Sequence, residues 1–425
     1  MVMEGRIDAV QEPTWSLAFL GSVVPEAWRD TYALVKSPTI EIQQNIAREW
    51  ASGSMPLDRI FTTLPVPRFP RAELSSLRHP ETLVHGVRTI FLGWMNWEPC
   101  KSVSIGLDLV RKVRQWARGV RADGKKPVLF AYNLGPSHWQ APACLLAAKL
   151  SGAPLISLVT DLEPPAKEDG LLRPLLSVAL KIQLACLGRA SGLAVLNEQV
   201  LHDLPRAVAH SVVVNGLVPD DGFTRELLRL SDVTAGDLES PVLMYLGSLN
   251  QARGSDLLLE AFLEWDHPSA RLEFVGDGPL RDSLEKRAAG NERITFRGFV
   301  SDPAQLLRYY EAADILVNPH RIDVPKARYV FPSKLAQYLA SGRPVVSTDQ
   351  GGARKAFEGM AWFAEEDTPD GLANVFDDLL AAEFAEIRSR SDKGRDYVSS
   401  EKLWERQAPE LARFVERAAG VAEIQ

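Results

Sequence analysis

Along the second half of the chain, short apolar runs alternate with stretches whose hydrophobic positions recur every three to four residues. The runs are Val242–Leu246, Arg271–Val275, Ile294–Arg297, Ile315–Asn318, Pro344–Ser347 and Trp362–Ala364. Each is too short for a helix, and the gaps leave room for one helix apiece. In the first gap, Ser255–Trp265 places Leu257, Leu258, Ala261, Phe262 and Trp265 on one face. Alternating strand and helix predicts a parallel sheet covered on both sides, here a doubly wound α/β domain of six strands.

The first half repeats the theme less cleanly. Strands are predicted at Ser16–Leu20, Arg59–Thr63, Thr89–Gly93, Val128–Tyr132, Leu155–Thr160, Gly192–Leu196 and Val212–Val214. Helices are predicted at Glu41–Ala51, Val103–Gly119, Gln140–Leu150 and Leu171–Leu187. The proline-rich stretch Leu64–Pro80 reads as a surface excursion, and Pro219–Asp221 with Ser231–Ser240 as the connection between domains. The terminal segment Ser399–Ala419 is helical in pattern, with Leu403, Trp404, Ala408, Leu411, Phe414 and Val415 as its apolar positions. It is separate from the second sheet and is expected to pack back on the first domain. Two tandem doubly wound domains face each other across a cleft lined by the carboxyl ends of their strands, where open parallel sheets bind ligands.

Composition narrows the class. With 425 residues, 46% of them hydrophobic and 24% charged, the chain is neither disordered nor fibrous, and its length calls for more than one core. Cys100, Cys144 and Cys186 are odd in number and lack metal-ligand spacing, which points to a reducing compartment. The opening MVMEGRIDAVQEP has no secretory pattern, and no uninterrupted apolar run reaches the ~18 residues of a spanning helix. A cytoplasmic chain is therefore expected. The net charge of −7 hides an asymmetry: residues 1–215 carry 23 Lys and Arg against 19 Asp and Glu, so that half is basic and the remainder strongly acidic.

Several turns could carry chemistry. The segment Tyr245–Gly254 follows a strand and opens a helix, so Gly247 and Ser248 would expose backbone N–H groups near a helix N-terminus, and Arg253 would add a full cation for a phosphate. The same stretch also reads as an ordinary turn with a surface arginine. Val275–Pro279 is best read as a structural turn. At Arg297–Val300, Gly298 would permit close approach of backbone to a ligand. The stretch Phe331–Val346 is the most informative. Ser333 would cap a helix with Lys334 in its first turn, where the helix dipole disfavours a cation unless an anion is bound. Lys334 and Gln337, three apart, share one face of that helix.

The glycine turn, VGDGP, FRGFV, YYEAADILVNP and FPSKLAQYLASGRPVVST occur in this order between Pro241 and Asp370. In that order they resemble the second domain of glycosyltransferase family 4 (group 1) and related GT-B enzymes. Val214-Asn215-Gly216 resembles that family's interdomain turn, and Ser399–Val415 its terminal helix, which crosses back to the first domain. The resemblance implies a GT-B fold: an acceptor domain over 1–217, a nucleotide-sugar donor domain over 218–398 and a crossing helix over 399–425. It implies that backbone at Arg297, Gly298, Phe299 and Val300 holds the base of the donor. Gly247, Ser248, Arg253 and Lys334 would face the diphosphate, with Gln337 on the ribose and Ser333 also at the donor site. It implies electrostatic stabilisation of the leaving group without a bound metal or cofactor.

There is a departure. Many retaining members carry two glutamates with seven residues between them around this helix; Tyr329 and Gln337 stand at those positions. An inverting reaction needs a base, for which Asp161 after Leu155–Thr160 is the candidate, with Glu163, Asn133 and His138 beside it on the acceptor side. Asp161 also reads as the start of a loop.

The helix from Val103 into Lys126 carries Arg111, Lys112, Arg114, Arg118, Arg121, Lys125 and Lys126, with Leu107, Val110, Val113, Ala117 and Val120 as an opposite apolar stripe and Trp116 near its edge. Arg111–Lys126 could lie on an anionic membrane, or be the solvated face of a core helix. No nucleic-acid module accompanies these charges. The expectation is a cytoplasmic glycosyltransferase, peripheral at the inner face of the cell membrane, moving a sugar from a nucleoside diphosphate donor, UDP preferred, to a saccharide or lipid-linked acceptor in cell-envelope or exopolysaccharide synthesis. Natural-product glycosylation and a non-catalytic nucleotide-binding subunit remain open.

Overall fold

The computed structural model describes residues 13–28, 38–64, 76–95, 100–135, 140–160, 162, 164–165, 167–214, 218–219, 221–265, 267–322 and 324–421. In the first half the described strands are β1 (Trp15–Gly21), β2 (Leu57–Thr62), β3 (Ser76–Leu77), β4 (Thr82–Val84) and β5 (Val87–Phe91). They are followed by β6 (Trp94–Met95), β7 (Lys126–Tyr132), β8 (Leu155–Val159), β9 (Gly192–Val195) and β10 (His210–Val213). Eight of these join one sheet in the order β10-β9-β8-β7-β1-β2-β5-β4. Its pairs are parallel except the β4–β5 hairpin, whose turn residues His85 and Gly86 both take positive φ. That hairpin and the small antiparallel ribbon of β3 and β6 were not foreseen, because strands of two or three residues are too short for periodicity to register.

The second half forms β11 (Val242–Leu246), β12 (Arg271–Val275), β13 (Ile294–Gly298), β14 (Ile315–Asn318), β15 (Val345–Thr348) and β16 (Trp362–Ala364). They lie in the order β13-β12-β11-β14-β15-β16, all parallel. Counted from β11, this is the order 3-2-1-4-5-6, in which the direction of winding reverses between β11 and β14. The strands match the predicted runs to within a residue; the central ones, β11, β14 and β15, are buried throughout and read as short apolar segments.

Two helices of the first half differ from expectation. Cys100–Ala122 buries Ile105, Leu109, Val113, Trp116, Ala117 and Val120, while Leu107, predicted to face the core, is 70% exposed. Trp116, predicted at the edge of a basic surface, is buried and donates to Asp58 Oδ2 at 2.6 Å. Of the basic residues, Arg111 and Lys112 pair with Asp108, Arg121 donates to the Ser151 carbonyl, and Lys126 donates to the Ala419 carbonyl at 2.7 Å. Arg114 and Arg118 stay exposed. The predicted helix Leu171–Leu187 is α-helical over Arg173–Leu187, entered from a 3-10 helix over Lys167–Leu172. Gly170–Leu187 is long and apolar enough to cross a membrane by length and composition, although no such segment was expected. Within it, Ala179, Leu180, Leu184 and Leu187 are buried, whereas Leu171, Leu172, Leu175 and Val178 are all more than half exposed.

The terminal helix Trp404–Ala419 does return to the first sheet. It touches β8 and β9, burying Trp404, Leu411, Phe414 and Val415, each contributing about 1.5–3 kcal/mol relative to exposure. Gly192 on β9 is a glycine for a packing reason: a Cβ there would lie 2.6 Å from that of Ala418 and 3.2 Å from the Phe414 ring.

Candidate functional site

The winding reversal between β11 and β14 brings two chain turns together. Beyond β11, Gly247 leaves room where a Cβ would crowd Lys334 Nζ at 3.1 Å and the Tyr245 hydroxyl at 2.9 Å. Two further glycines are needed for this approach. Gly276 (φ 148°) abuts the Gly247 carbonyl, and Gly254 (φ 70°) abuts the Pro319 carbonyl, so that any side chain at either would collide with backbone. Asn250 shapes the turn by accepting from the Arg253 N–H at 2.9 Å and donating to Ser248 Oγ at 3.0 Å.

Lys334 stands in the first turn of the helix Ser333–Ala340, partly buried, its ammonium donating to the Leu246 carbonyl at 2.6 Å. Burial, and secondly the Arg253 guanidinium, pull its pKa down to about 8. Among the described residues, neither Lys334 nor Arg253 has a carboxylate within ion-pairing distance. Two cations are thus held beside one glycine turn with no counter-charge paired to them among the described residues, an arrangement that a bound anion would relieve.

His320 follows β14 and is 2% exposed. Its Nε2 lies 3.2 Å from Arg253 Nη1, its Nδ1 contacts Gln350 Oε1, and its carbonyl accepts from Thr348 Oγ1 at 2.5 Å. Burial first, then Arg253, push its pKa down to about 3. Neither His320 nor Gln350 was given a role of its own in the sequence; the signal was a histidine two residues beyond an apolar strand end.

Other predicted residues fall as follows. Ser333 is exposed and does not cap its helix; the cap position is Pro332, one residue earlier. Gln337 is half-buried on the same helix as Lys334. Arg297 spends its guanidinium on Glu273 through two hydrogen bonds of 2.9 Å. Gly298 takes φ 74°, Val300 is half-buried, and Phe299 is 75% exposed at the end of β13.

On the first sheet, Asn133 ends β7 with φ 51°. Its Oδ1 accepts from the Thr160 N–H at 2.9 Å and its Nδ2 donates to Thr160 Oγ1 at 3.3 Å, so it ties the ends of β7 and β8 together. Asp161, Glu163 and His138 lie outside the described residues.

Tyr329 is 3% exposed and its hydroxyl donates to Asp203 Oδ2, at 2.6 Å. Arg328 grips the same carboxylate through two bonds of 2.7 and 2.8 Å. Arg328 foremost, with Tyr329 and Gln199, holds the Asp203 pKa down to about 2. Asn197 adds bonds to the Arg328 and Val330 carbonyls at 3.1 and 3.2 Å. The two sheets therefore meet through this loop, beside a cleft of about 710 Å³ that Arg328 and Lys355 line. Among the described residues, no group of three His, Cys, Asp or Glu side chains is placed to hold a metal ion.

Residues 240–382 match the family described as Glycosyl transferases group 1. The sulfoquinovosyl transferase SQD2 of Arabidopsis thaliana is 28% identical over 125 residues, 29% of this chain and 22% of that protein. The Vi polysaccharide biosynthesis protein VipC/TviE of Salmonella typhi is 28% identical over 255 residues, 54% of this chain and 41% of that protein. The aligned part thus spans less than half of either relative. Among solved structures, sucrose-phosphate synthase of Thermosynechococcus elongatus superposes with a TM-score of 0.64 at 18% identity, covering 96% of this chain and 100% of that one. Anabaena HepE, solved in complex with UDP, superposes with a TM-score of 0.63 at 13% identity, covering 95% and 100%. At such identities the likeness establishes the fold, which is GT-B.

Proposed function

We propose that this GT-B chain, whose second half matches the group 1 glycosyl transferases, is itself a glycosyltransferase that uses a nucleoside diphosphate sugar. The observation that carries the reading is the pair of cations Arg253 and Lys334 at the winding reversal, unpaired with any carboxylate among the described residues. Together with the backbone at Gly247 and Ser248 they take the diphosphate. Backbone at Arg297–Val300, with Phe299 exposed beside it, takes the base, and Gln337 a ribose hydroxyl. UDP is the preferred nucleotide, supported by the UDP bound to HepE, a protein of the same fold.

In the reaction, an acceptor hydroxyl attacks the anomeric carbon as the bond from that carbon to the phosphate oxygen breaks. The proton goes to Asp161, and the negative charge developing on the nucleoside diphosphate is met by Lys334 and Arg253. This chemistry calls on no bound metal. Glu163, Asn133 and His138 belong to the acceptor side of residues 1–217, opposite a donor half over 218–398, with 399–425 crossing back. A cell-envelope or exopolysaccharide precursor is the preferred acceptor, supported by the similarity to a Vi polysaccharide biosynthesis protein. Contact with anionic lipid at the inner face of the membrane would draw on Arg114 and Arg118 and on the exposed Leu171, Leu172, Leu175 and Val178.

A panel of UDP-, ADP- and GDP-sugars tests this, scored by released nucleoside diphosphate in the presence and absence of envelope glycolipid extract. Turnover of at least one donor is expected, with Asp161→Asn lowering kcat about a hundredfold or more. One observation favours a second reading, a nucleotide-binding subunit without turnover: Tyr329 stands where retaining relatives have a carboxylate, and its hydroxyl is engaged by Asp203. Nucleotide binding with neither transfer nor hydrolysis would select that reading.

A further inference from the structure

His320 is a buried polar residue whose two ring nitrogens are both committed, one of them to a cation. Arg253 Nη1 lies 3.2 Å from Nε2. A guanidinium can only donate, so Nε2 must offer its lone pair and the ring proton must reside on Nδ1. There it meets Gln350 Oε1, at the end of β15, and Gln350 is itself only 3% exposed. The ring is also fixed through its backbone. Thr348 donates to the His320 carbonyl, and Gly254, next to Arg253, lets the Pro319 carbonyl approach without obstruction. The turns that follow β11, β14 and β15 thus converge on one imidazole.

We propose that His320 is a positioning residue which aims the Arg253 guanidinium at the phosphate-bearing ligand, with Gln350 fixing its tautomer. This rests on the diphosphate reading of the Arg253–Lys334 site. The choice of side chain has a physical rationale. A carboxylate at position 320 would hold Arg253 equally well but would neutralise it. A neutral imidazole takes one of the five guanidinium hydrogens and leaves the charge and the other four for the ligand. Protonation would remove the lone pair and add a third cation to the two that face the ring, Arg253 and Lys334. The Arg321–Asp256 ion pair flanks it on neighbouring backbone. The depressed pKa of about 3 keeps the ring neutral across the working range.

The alternative is a histidine that merely satisfies a core site, and binding separates the two. UDP, ADP and GDP, each with its parent nucleoside, are titrated calorimetrically into wild type, R253A, H320A, H320Q, Q350L and R253A/H320A, with melting temperatures taken without ligand. For the tightest diphosphate we expect H320A to lose about tenfold in affinity while the nucleoside is unaffected. H320Q, which sets an amide oxygen near the place of Nε2, should stay within about threefold of wild type. Q350L should lose diphosphate affinity in the same direction as H320A. The double variant should bind no worse than R253A alone, as residues acting through one another do. Should H320A fold poorly, H320Q and Q350L carry the test. Weakened binding by R253A with full diphosphate affinity in H320A or Q350L would overturn the positioning role and leave the diphosphate site standing. So would fully additive losses in the double variant. No binding of any diphosphate, or unchanged binding by R253A, would overturn the diphosphate reading and this inference with it.

Discussion

The hydroxyl of Tyr329 donates to Asp203 Oδ2 at 2.6 Å, joining the loop after β14 to the turn that follows β9 in the other sheet. The ring of Tyr329 is buried as part of the hydrophobic core of the first half, so the contact is buried as well as polar. The resemblance places a glutamate of retaining relatives at position 329. A carboxylate there would compete with Asp203 for Arg328, which makes tyrosine here and aspartate at 203 a matched pair.

Asp203 has its pKa depressed to about 2, against ~3.9 for an unfolded aspartate. The sign follows from linkage: the stabilisation is full above pH ~4 and is lost as pH falls through about 2. Asp203→Asn should therefore cost about 1–2 kcal/mol at pH 7 and almost nothing near pH 2. Denaturant unfolding of both proteins across pH 2–7 measures this. A cost independent of pH would exclude the ion pair as its source.

Lys334 titrates near pH 8 in the unliganded site. A bound diphosphate favours the ammonium, so donor affinity should be flat below pH 8 and fall, by at most tenfold per unit, as pH rises above it. Lys334→Arg should abolish that fall whatever its absolute affinity. In the free protein the sign is opposite: between pH 8 and ~10.4 the unfolded chain binds more protons at this lysine, so wild type should gain stability relative to Lys334→Met. Calorimetry and thermal melts over pH 7–10 read both effects.

Gly276→Ala should destabilise by about 2 kcal/mol or more, because φ of 148° is strained for alanine and its Cβ meets the Gly247 carbonyl. Gly222→Ala is the control. It lies in the helix Gly222–Leu227 with open space around the new methyl, so it should be neutral or slightly stabilising. Equal losses at both sites would contradict the close approach of the two turns.

The exposed leucines and cations of the first half predict binding to vesicles containing anionic lipid, weakened by salt. Replacing Leu171 and Leu175 by serine should weaken co-sedimentation at any salt concentration, whereas Arg114 and Arg118 to glutamine should act mainly at low salt, at ~1 kcal/mol per charge. Co-sedimentation that neither pair alters would place any lipid contact elsewhere.

Much of the fold was legible because its central strands are buried on both faces and announce themselves as apolar runs, as Val242–Leu246 and Ile315–Asn318 do. The terminal helix was legible because its apolar face is nearly complete from Trp404 to Ala419. The cation pair was readable from a lysine placed against its helix dipole. What failed depended on long-range contacts. Leu107 and Trp116 exchanged faces because a helix stripe can be shifted by a residue without disturbing its period. The roles of Asp203 and His320 were not legible because their partners, Arg328 and Gln350, lie far along the chain, 125 and 30 residues away. The tie from the Asn133 amide to Thr160, 27 residues on, was likewise invisible in the sequence.

The central claim is that Arg253 and Lys334 hold the diphosphate of a nucleotide donor. A crystal structure with the tightest-binding nucleoside diphosphate tests it most directly. Phosphate oxygens are expected within hydrogen-bonding distance of Lys334 Nζ and the Arg253 guanidinium, with the base against the backbone of residues 297–300. A diphosphate bound elsewhere, for instance in the cleft beside Arg328 and Lys355, would contradict it.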